Sequence, residues 1–169
     1  MLLRRAHQNE YAAVGALTLA AYEPFLSGPD DFYRARLVDT ATRDRQAEVW
    51  VAVDEEPGGR GPGRGRVLGA VTVCPPDSPW REIARDGEGE FRMLAVDPSA
   101  QGLGVVLALA TMVVDRFRVE GDRSVVLSSL DRMSTAHGLY ERLGFVRAPE
   151  RDWRPEPEVS LIVYTLELT

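Results

Sequence analysis

The stretch of sequence that decides the fold is VDPSAQGLGVV, residues 96–106. An apolar strand pattern, EFRMLAVD (90–97), leads into this turn, which opens directly into a helical pattern that continues to Glu120. Backbone N–H groups at a helix start lack intrahelical acceptors and carry the positive end of the helix dipole. Because Gly102 and Gly104 would let a phosphate approach those groups, the turn predicts a pyrophosphate-binding site. The alternative is a tight turn that needs glycine only for its backbone angles.

Two better-known phosphate-binding motifs do not fit this turn. A Rossmann fingerprint needs a third glycine in GxGxxG, and Leu107 stands at that position. A Walker P-loop needs a lysine, but all 20 basic residues of the 169-residue chain are arginine. The absence of lysine also excludes Schiff-base chemistry on a side chain of this protein.

A second motif follows the turn at a characteristic distance. A strand pattern, SVVLSS (124–129), precedes the helical segment AHGLYERLGF (136–145). Over about residues 66–148 the two motifs together resemble the GNAT superfamily of acetyl-CoA-dependent N-acetyltransferases. The matching positions are Gln101, Gly104, Ala136, Leu139, Tyr140, Gly144 and Phe145. Val106 stands where the family usually has Gly or Ala, and Met133 where many members have Asn.

The resemblance and the order of the predicted elements imply an α/β fold, with residues 1–169 forming a single GNAT domain. We expect a mixed central sheet of about seven strands with a V-shaped splay, flanked by four helices. Strands are predicted over 1–6, 48–54, 66–74, 90–97, 124–129, 145–148 and 159–168, and helices over 8–23, 31–46, 103–120 and 134–144. A Gly/Pro-rich hairpin loop is expected over 55–65, an irregular link over 74–89 and a polar loop over 151–158.

The resemblance further implies acetyl-CoA as co-substrate, lying between the splayed strands 90–96 and 124–129. The backbone of Met93, Leu94 and Val96 would then pair with the pantetheine arm. The N–H groups of Gln101, Gly102, Leu103, Gly104, Val105 and Val106 would hold the pyrophosphate. Ser134 is a polar substitute for the missing Asn, with a helix N-cap as its alternative role.

Two residues are the catalytic candidates. Tyr140 is the expected general acid, because a phenol with a pKa near 10 is protonated at neutral pH and can donate to a departing sulfur. Packing in the core is its alternative role. Glu90 is the expected base, acting through water, and Glu88 and Asp131 are its alternatives. His137 is expected on a helix surface and Cys74 in the core as a structural thiol, and no metal site is predicted.

Composition limits the partners. The net charge is −6, the pI is about 5.0 and no basic stripe is present, so nucleic acid is not an expected partner. No segment reads as a signal peptide or as a membrane span, and the expected location is the cytoplasm. A homodimer is compatible with the family, but no interface pattern is visible.

The sequence therefore predicts transfer of an acetyl group from acetyl-CoA to a primary amine of a small molecule or peptide, by direct attack in a ternary complex. A catalytically silent acyl-CoA-binding protein is the main alternative, motivated by Val106 and Met133. A nucleotide-binding α/β module of another kind is the third interpretation.

Overall fold

A computed structural model describes residues 1–54 and 65–169, and the loop expected over 55–65 lies almost entirely outside these residues. The described residues form eight strands and five α-helices. The strands are β1 (Leu2–Arg5), β2 (Glu48–Asp54), β3 (Arg66–Cys74), β4 (Glu88–Val96), β5 (Ser124–Leu130), β6 (Val146–Arg147), β7 (Trp153–Glu156) and β8 (Val159–Glu167). The helices are α1 (Tyr11–Tyr22), α2 (Tyr33–Val38), α3 (Thr40–Gln46), α4 (Val105–Glu120) and α5 (Ser134–Arg142).

The eight strands form one mixed sheet in the order β1-β2-β3-β4-β5-β8-β6, with β7 paired to β8. Among the described strands only β4 and β5 are paired in parallel, and α4 makes the crossover between them. The other strand pairs are antiparallel. The sheet has one strand more than the expected number, and the predicted α/β fold with a mixed central sheet is confirmed.

The sheet opens between its two parallel strands. β4 and β5 pair only at Glu88–Ser124, Gly89–Val125 and Glu90–Val126, and the strands part beyond these residues. In the same part of β4 the register with β3 shifts between Ala70 and Thr72. Met93, which lies at this bulge, has φ +52°, the one positive φ at a non-glycine residue in the described ranges. The predicted V-shaped splay is therefore present and carries a strained backbone position at its edge.

Helix α4 is fixed to one face of the sheet by an apolar stripe. Val105, Leu109, Val113 and Phe117, at helical spacing, are each 2% exposed or less. Gly104 precedes the helix and Gly121 follows it, and both glycines adopt the left-handed conformation. Because the stripe reaches the first turn, the N-terminal end of α4 lies in a fixed position beside β3 and β4.

Two elements differ from the sequence-based expectations. The helix expected over 31–46 is two helices, because Asp39 leaves helical geometry at ψ 69° and its carboxylate accepts from the Thr42 N–H to cap α3. Part of the loop expected over 151–158 is strand β7, in which Trp153 pairs with Leu161 of β8. Pro155, which has no N–H, is tolerated there because strands at a sheet edge need fewer donors.

Candidate active site

A cavity of about 730 Å³ opens where β4 and β5 diverge. Its floor comes from the diverging strands, and its walls from the segment around α2 and from the β7–β8 hairpin. Aromatic side chains line much of it, namely Tyr22, Phe25, Phe32, Tyr33, Phe91, Tyr140 and Trp153. A concave, largely apolar site with a few polar groups is the usual form of a small-molecule site.

The glycine turn is open to the surface at the N-terminus of α4. Gly102 and Gly104 have φ values of +80° and +74°, and a Cβ built on either would meet nothing within 4 Å. The amides of Gln101 and Leu103 donate to carbonyls within the turn, to Pro98 at 3.4 Å and to Ala100 at 3.3 Å. The structure therefore leaves fewer free donors than the sequence predicted.

Four amides of the turn remain available. Among the described residues no acceptor is found for the N–H groups of Gly102, Gly104, Val105 and Val106. The side chain of Val105 is buried in the core and that of Val106 is half-buried. Free amides at a helix N-terminus can bind an anion.

Strand β4 presents a free edge to the cavity. Met93 and Leu94 line the cavity, whereas Val96 pairs with Gly69 of β3. Met93 is 4% exposed, and its sulfur lies 2.7 Å from the Arg43 guanidinium. Because β5 has diverged here, the side of β4 that faces it has no strand partner among the described residues. An extended ligand can bind there in the place of a strand.

Tyr140 faces the same cavity from α5. The residue is 8% exposed, and its ring packs edge-to-face against Phe91 and Phe145. Burial, with a smaller contribution from the nearby Tyr164, raises the pKa of Tyr140 to about 12. The phenol is therefore protonated at neutral pH and able to act as a proton donor in the cavity.

Glu90 does not line the cavity. Its side chain is 1% exposed, and its carboxylate accepts the backbone N–H groups of Glu82, Ile83 and Ala84 at 2.9–3.1 Å. A carboxylate whose lone pairs are occupied in this way is a poor partner for a substrate. The structure places Glu90 under a loop, and its predicted role as base gains no support from this geometry.

The two alternative bases, Glu88 and Asp131, also lie outside the cavity. Glu88 forms an ion pair with Arg151 at 2.9 Å and accepts the Arg85 N–H. Asp131 is exposed and lies 3.9 Å from Arg132. Neither carboxylate lines the cavity.

The remaining sequence candidates take mainly structural positions. Met133, not Ser134, is the N-cap residue of α5; Met133 lines the cavity, whereas Ser134 is exposed outside it. His137 Nε2 lies 2.9 Å from the Leu130 carbonyl. Cys74 is buried, and burial raises its thiol pKa to about 12, which confirms the expectation of a structural thiol.

Several charged residues that line the cavity are not among the sequence candidates, and Glu82 is one of them. It lies in the irregular link between β3 and β4, where no periodicity indicates which way a side chain points. Its partner in an ion pair is Arg92 on β4, and no helical or strand spacing relates the two residues. Only the fold brings them together, so no signal in the sequence could have identified Glu82.

A splayed mixed sheet, a glycine turn at the start of the crossover helix and a cavity at the splay together define an α/β domain of the GNAT type. The sequence model of the Acetyltransferase (GNAT) domain matches residues 45–147, which is more than half of the chain. The chain therefore belongs to the GNAT acetyltransferase domain family. Within the described ranges, no helix has the length and apolar character needed to cross a membrane.

Known proteins resemble this chain in sequence or in fold. The mycothiol acetyltransferase of Cellulomonas flavigena is 30% identical over 123 residues, which are 68% of this chain and 33% of that protein. A GNAT-family acetyltransferase from Staphylococcus aureus superposes with a TM-score of 0.73 at 13% identity, covering 99% of both chains. A chain from Salmonella typhimurium, solved with its cofactor acetyl-CoA, has a TM-score of 0.64 at 21% identity, covering 99% of this chain and 94% of that one. The chain spans about a third of the curated relative.

Proposed function

We propose that this protein transfers an acetyl group from acetyl-CoA to a primary amine of a small molecule or peptide, by direct attack within a ternary complex. The observation that carries the proposal is the meeting of a free strand edge and a buried, protonated phenol, Tyr140, in one cavity. Membership of the acetyltransferase family and the acetyl-CoA found in the Salmonella chain support the choice of co-substrate.

The residues present fit acetyl-CoA. The open turn at Gly102 and Gly104 offers free amides to the pyrophosphate, and the space beside both glycines is empty within 4 Å of an added Cβ. The edge of β4 at Met93, Leu94 and Val96 would pair with the pantetheine arm, in the gap that β5 leaves. Bound there, the thioester supplies an activated acetyl group.

The chain's own residues then hold the reacting groups in place and supply a proton to the leaving sulfur. Tyr140 donates its proton to the departing sulfur, which lowers the barrier without strengthening ground-state binding. Phe91, Phe145 and the other aromatic side chains hold the phenol in place and exclude water from it. Neither Ser134 nor Glu90 has a role in this proposal, because their side chains do not line the cavity.

We further propose that residues 1–169 form one GNAT domain that acts in the cytoplasm, alone or as a homodimer. The acceptor is taken from primary amines because the family acts on them and because carboxylates, including Glu82, Glu156 and Glu158, line the cavity.

An amine panel tests the proposal. Wild-type protein is incubated with acetyl-CoA and with polyamines, aminoglycosides, amino acids, phenylethylamines or peptide N-termini, and the release of free CoA thiol is measured. We expect amine-dependent thiol release with a subset of these compounds. If calorimetry shows that CoA binds but no amine causes release of free thiol, the result would instead favour the catalytically silent acyl-CoA-binding protein. The departures from the family pattern at Val106 and Met133 are the sequence features that favour this alternative.

A further inference from the structure

A carboxylate outside the predicted site, that of Glu82, lines the cavity. Its Oε1 forms an ion pair with Arg92 at 2.9 Å. The side chain is 22% exposed, so the carboxylate is paired with an arginine but is not fully covered. This arrangement leaves a charged acceptor in a place that a substrate can reach.

The loop that bears Glu82 is held by several independent contacts. The buried Glu90 carboxylate binds the amides of residues 82–84, including the amide of Glu82 itself. Arg92 also donates to the Trp80 carbonyl at 3.0 Å, and the Trp80 indole donates to Gln46 at 3.0 Å. A catalytic group needs such support, because small displacements of a reacting group greatly reduce the rate.

The charged groups that face Glu82 come from two elements. Arg92 and Glu90 project from β4, and Arg36 of α2 lies over the Trp80 ring at 4.6 Å. Burial raises the pKa of Glu82, and the negative charge of Glu90 adds to the rise, whereas Arg92 and Arg36 oppose it. A carboxylate with a raised pKa in a cavity is a better proton acceptor than an ordinary one.

We propose that Glu82 binds the ammonium group of the acceptor and takes its proton, with Glu90 as the positioning residue beneath it. The inference rests on the proposed acetyl transfer and names the residue that prepares the amine. A primary ammonium group is the chemical class that this carboxylate recognises, since a carboxylate paired with one arginine keeps lone pairs that can accept an ammonium N–H.

The protons balance across the reaction. The ammonium nitrogen gives one proton to Glu82, which passes it to water, and the freed electron pair forms the new C–N bond. As the C–S bond breaks, its electron pair stays on sulfur, which takes the proton of Tyr140. The nitrogen then loses its second proton, which restores the phenol through solvent.

Binding of a defined probe tests the ammonium site. The probe is 2-phenylethylammonium, whose ring suits an aromatic cavity, titrated calorimetrically at pH 7 into protein saturated with CoA. We expect Glu82→Gln to weaken binding about tenfold to a hundredfold, the usual effect of losing a hydrogen bond to a charged group. Glu150→Gln, which removes an exposed charge outside the cavity, should leave it unchanged. The uncharged analogue 2-phenylethanol should bind all three proteins equally.

The pH profile tests the proton transfer. With the fastest amine of the panel, kcat/KM of the wild type should rise with pH through a pKa above that of an ordinary Glu side chain, because Glu82 must be deprotonated. The Glu82→Gln variant should not show this rise of kcat/KM with pH, and its rate should be about 10²–10⁴-fold lower than that of the wild type. In the Glu90→Gln variant this rise should occur at lower pH, because the substitution removes a charge that raises the pKa of Glu82. A merely structural role of Glu90 would not cause this shift.

The outcomes separate the two proposals. Equal probe titrations for the wild type and Glu82→Gln, including no binding to either, would overturn the assignment of Glu82. If Glu82→Gln fails to fold, Glu82→Ala replaces it, because alanine leaves no carboxylate there; a wild-type rate in this variant would overturn the proton transfer. Probe binding that depends on Glu82, without acetyl transfer to any amine, would instead overturn the proposed function and keep the ammonium site.

Discussion

At the scale of single residues, the hydroxyl of Tyr140 is the group on which the proposed chemistry depends most. Tyr140→Phe keeps the ring that packs against Phe91 and Phe145, so the melting temperature and the affinity for CoA should be unchanged. The kcat should fall about 10²–10⁴-fold, since a positioned proton donor is lost. Tyr164→Phe is the matched control, because it removes a hydroxyl from the same cluster but outside the cavity. A wild-type kcat in the Tyr140→Phe variant, measured where chemistry limits turnover, would reduce Tyr140 to a packing role.

A second residue-scale prediction concerns the two glycines that flank α4. Gly104→Asp places a negative charge among the free amides of the turn, and CoA binding measured by calorimetry should weaken strongly. Gly121→Asp is the control, since its φ of +87° imposes the same backbone strain at the opposite end of the same helix, with the same open surroundings. Comparable losses of affinity in both variants would mean that strain, not charge at the turn, explains the effect.

At the scale of elements, the distance between α4 and the sheet depends on two glycines under the helix. A Cβ on Gly69 would lie 2.7 Å from Val105, at the end of α4 that carries the turn. A Cβ on Gly89 would overlap the buried Phe117 ring, near the other end. Both Ala variants should lose about 1–3 kcal/mol in the free energy of unfolding, the usual cost of overpacking. Only Gly69→Ala should also weaken CoA binding, and urea denaturation combined with calorimetry checks both effects.

Elements with strong periodicity could be predicted from the sequence, and elements decided by tertiary contacts could not. Helix α4 follows its apolar stripe, and the turn before it is recognisable by its glycines and its place after a strand. The break at Asp39 depends on one side chain that caps a new helix rather than continuing the old one. β7 forms because β8 offers an edge, although its own sequence, with Pro155, favours a loop.

The candidate site likewise contains some residues that the sequence could predict and others that it could not. Tyr140 and the glycine turn lie in motifs with a fixed spacing. Tyr140 lines the cavity between β4 and β5, whereas the turn lies at the N-terminus of α4 and contributes no residue to the cavity lining. The direction of a carboxylate in a strand or loop is set by what packs beside it. Glu90 therefore points inward to a loop that the sequence did not define, and Glu82 in that loop points to the cavity.

At the scale of the whole molecule, Glu48 joins three elements by its charge. Its carboxylate on β2 binds Arg116 of α4 at 2.9 Å and Arg5 of β1 at 3.3 Å. The hydrogen bond from Arg116 lowers the pKa of Glu48 below its usual value, so the stabilisation is present above the unfolded-state pKa and is lost as the pH falls through the folded-state pKa.

Removing this charge should change how stability depends on pH. At pH 7, Glu48→Gln should lower the melting temperature by about 2–4 °C, the shift that ~1 kcal/mol produces in a chain of this size. The two melting curves should converge only as the pH falls below the lowered folded-state pKa of Glu48, because the wild-type carboxyl is then neutral as well. Circular dichroism melts across pH 3–8 measure the difference, with Asp115→Asn, an exposed i,i+3 pair on α4, as control. A gap that persists at acid pH would assign the effect to packing.

The splay leaves the pairing of the two central strands incomplete. Three residue pairs join β4 to β5, and beyond them the described residues form no further pairs between these strands. If a pantetheine arm pairs with β4 there, the missing hydrogen bonds come from a small molecule that binds and leaves with each turnover. We then expect the amides of residues 93–96 to exchange hydrogen more slowly with CoA than without it, and the protein to stiffen and relax once in every catalytic cycle.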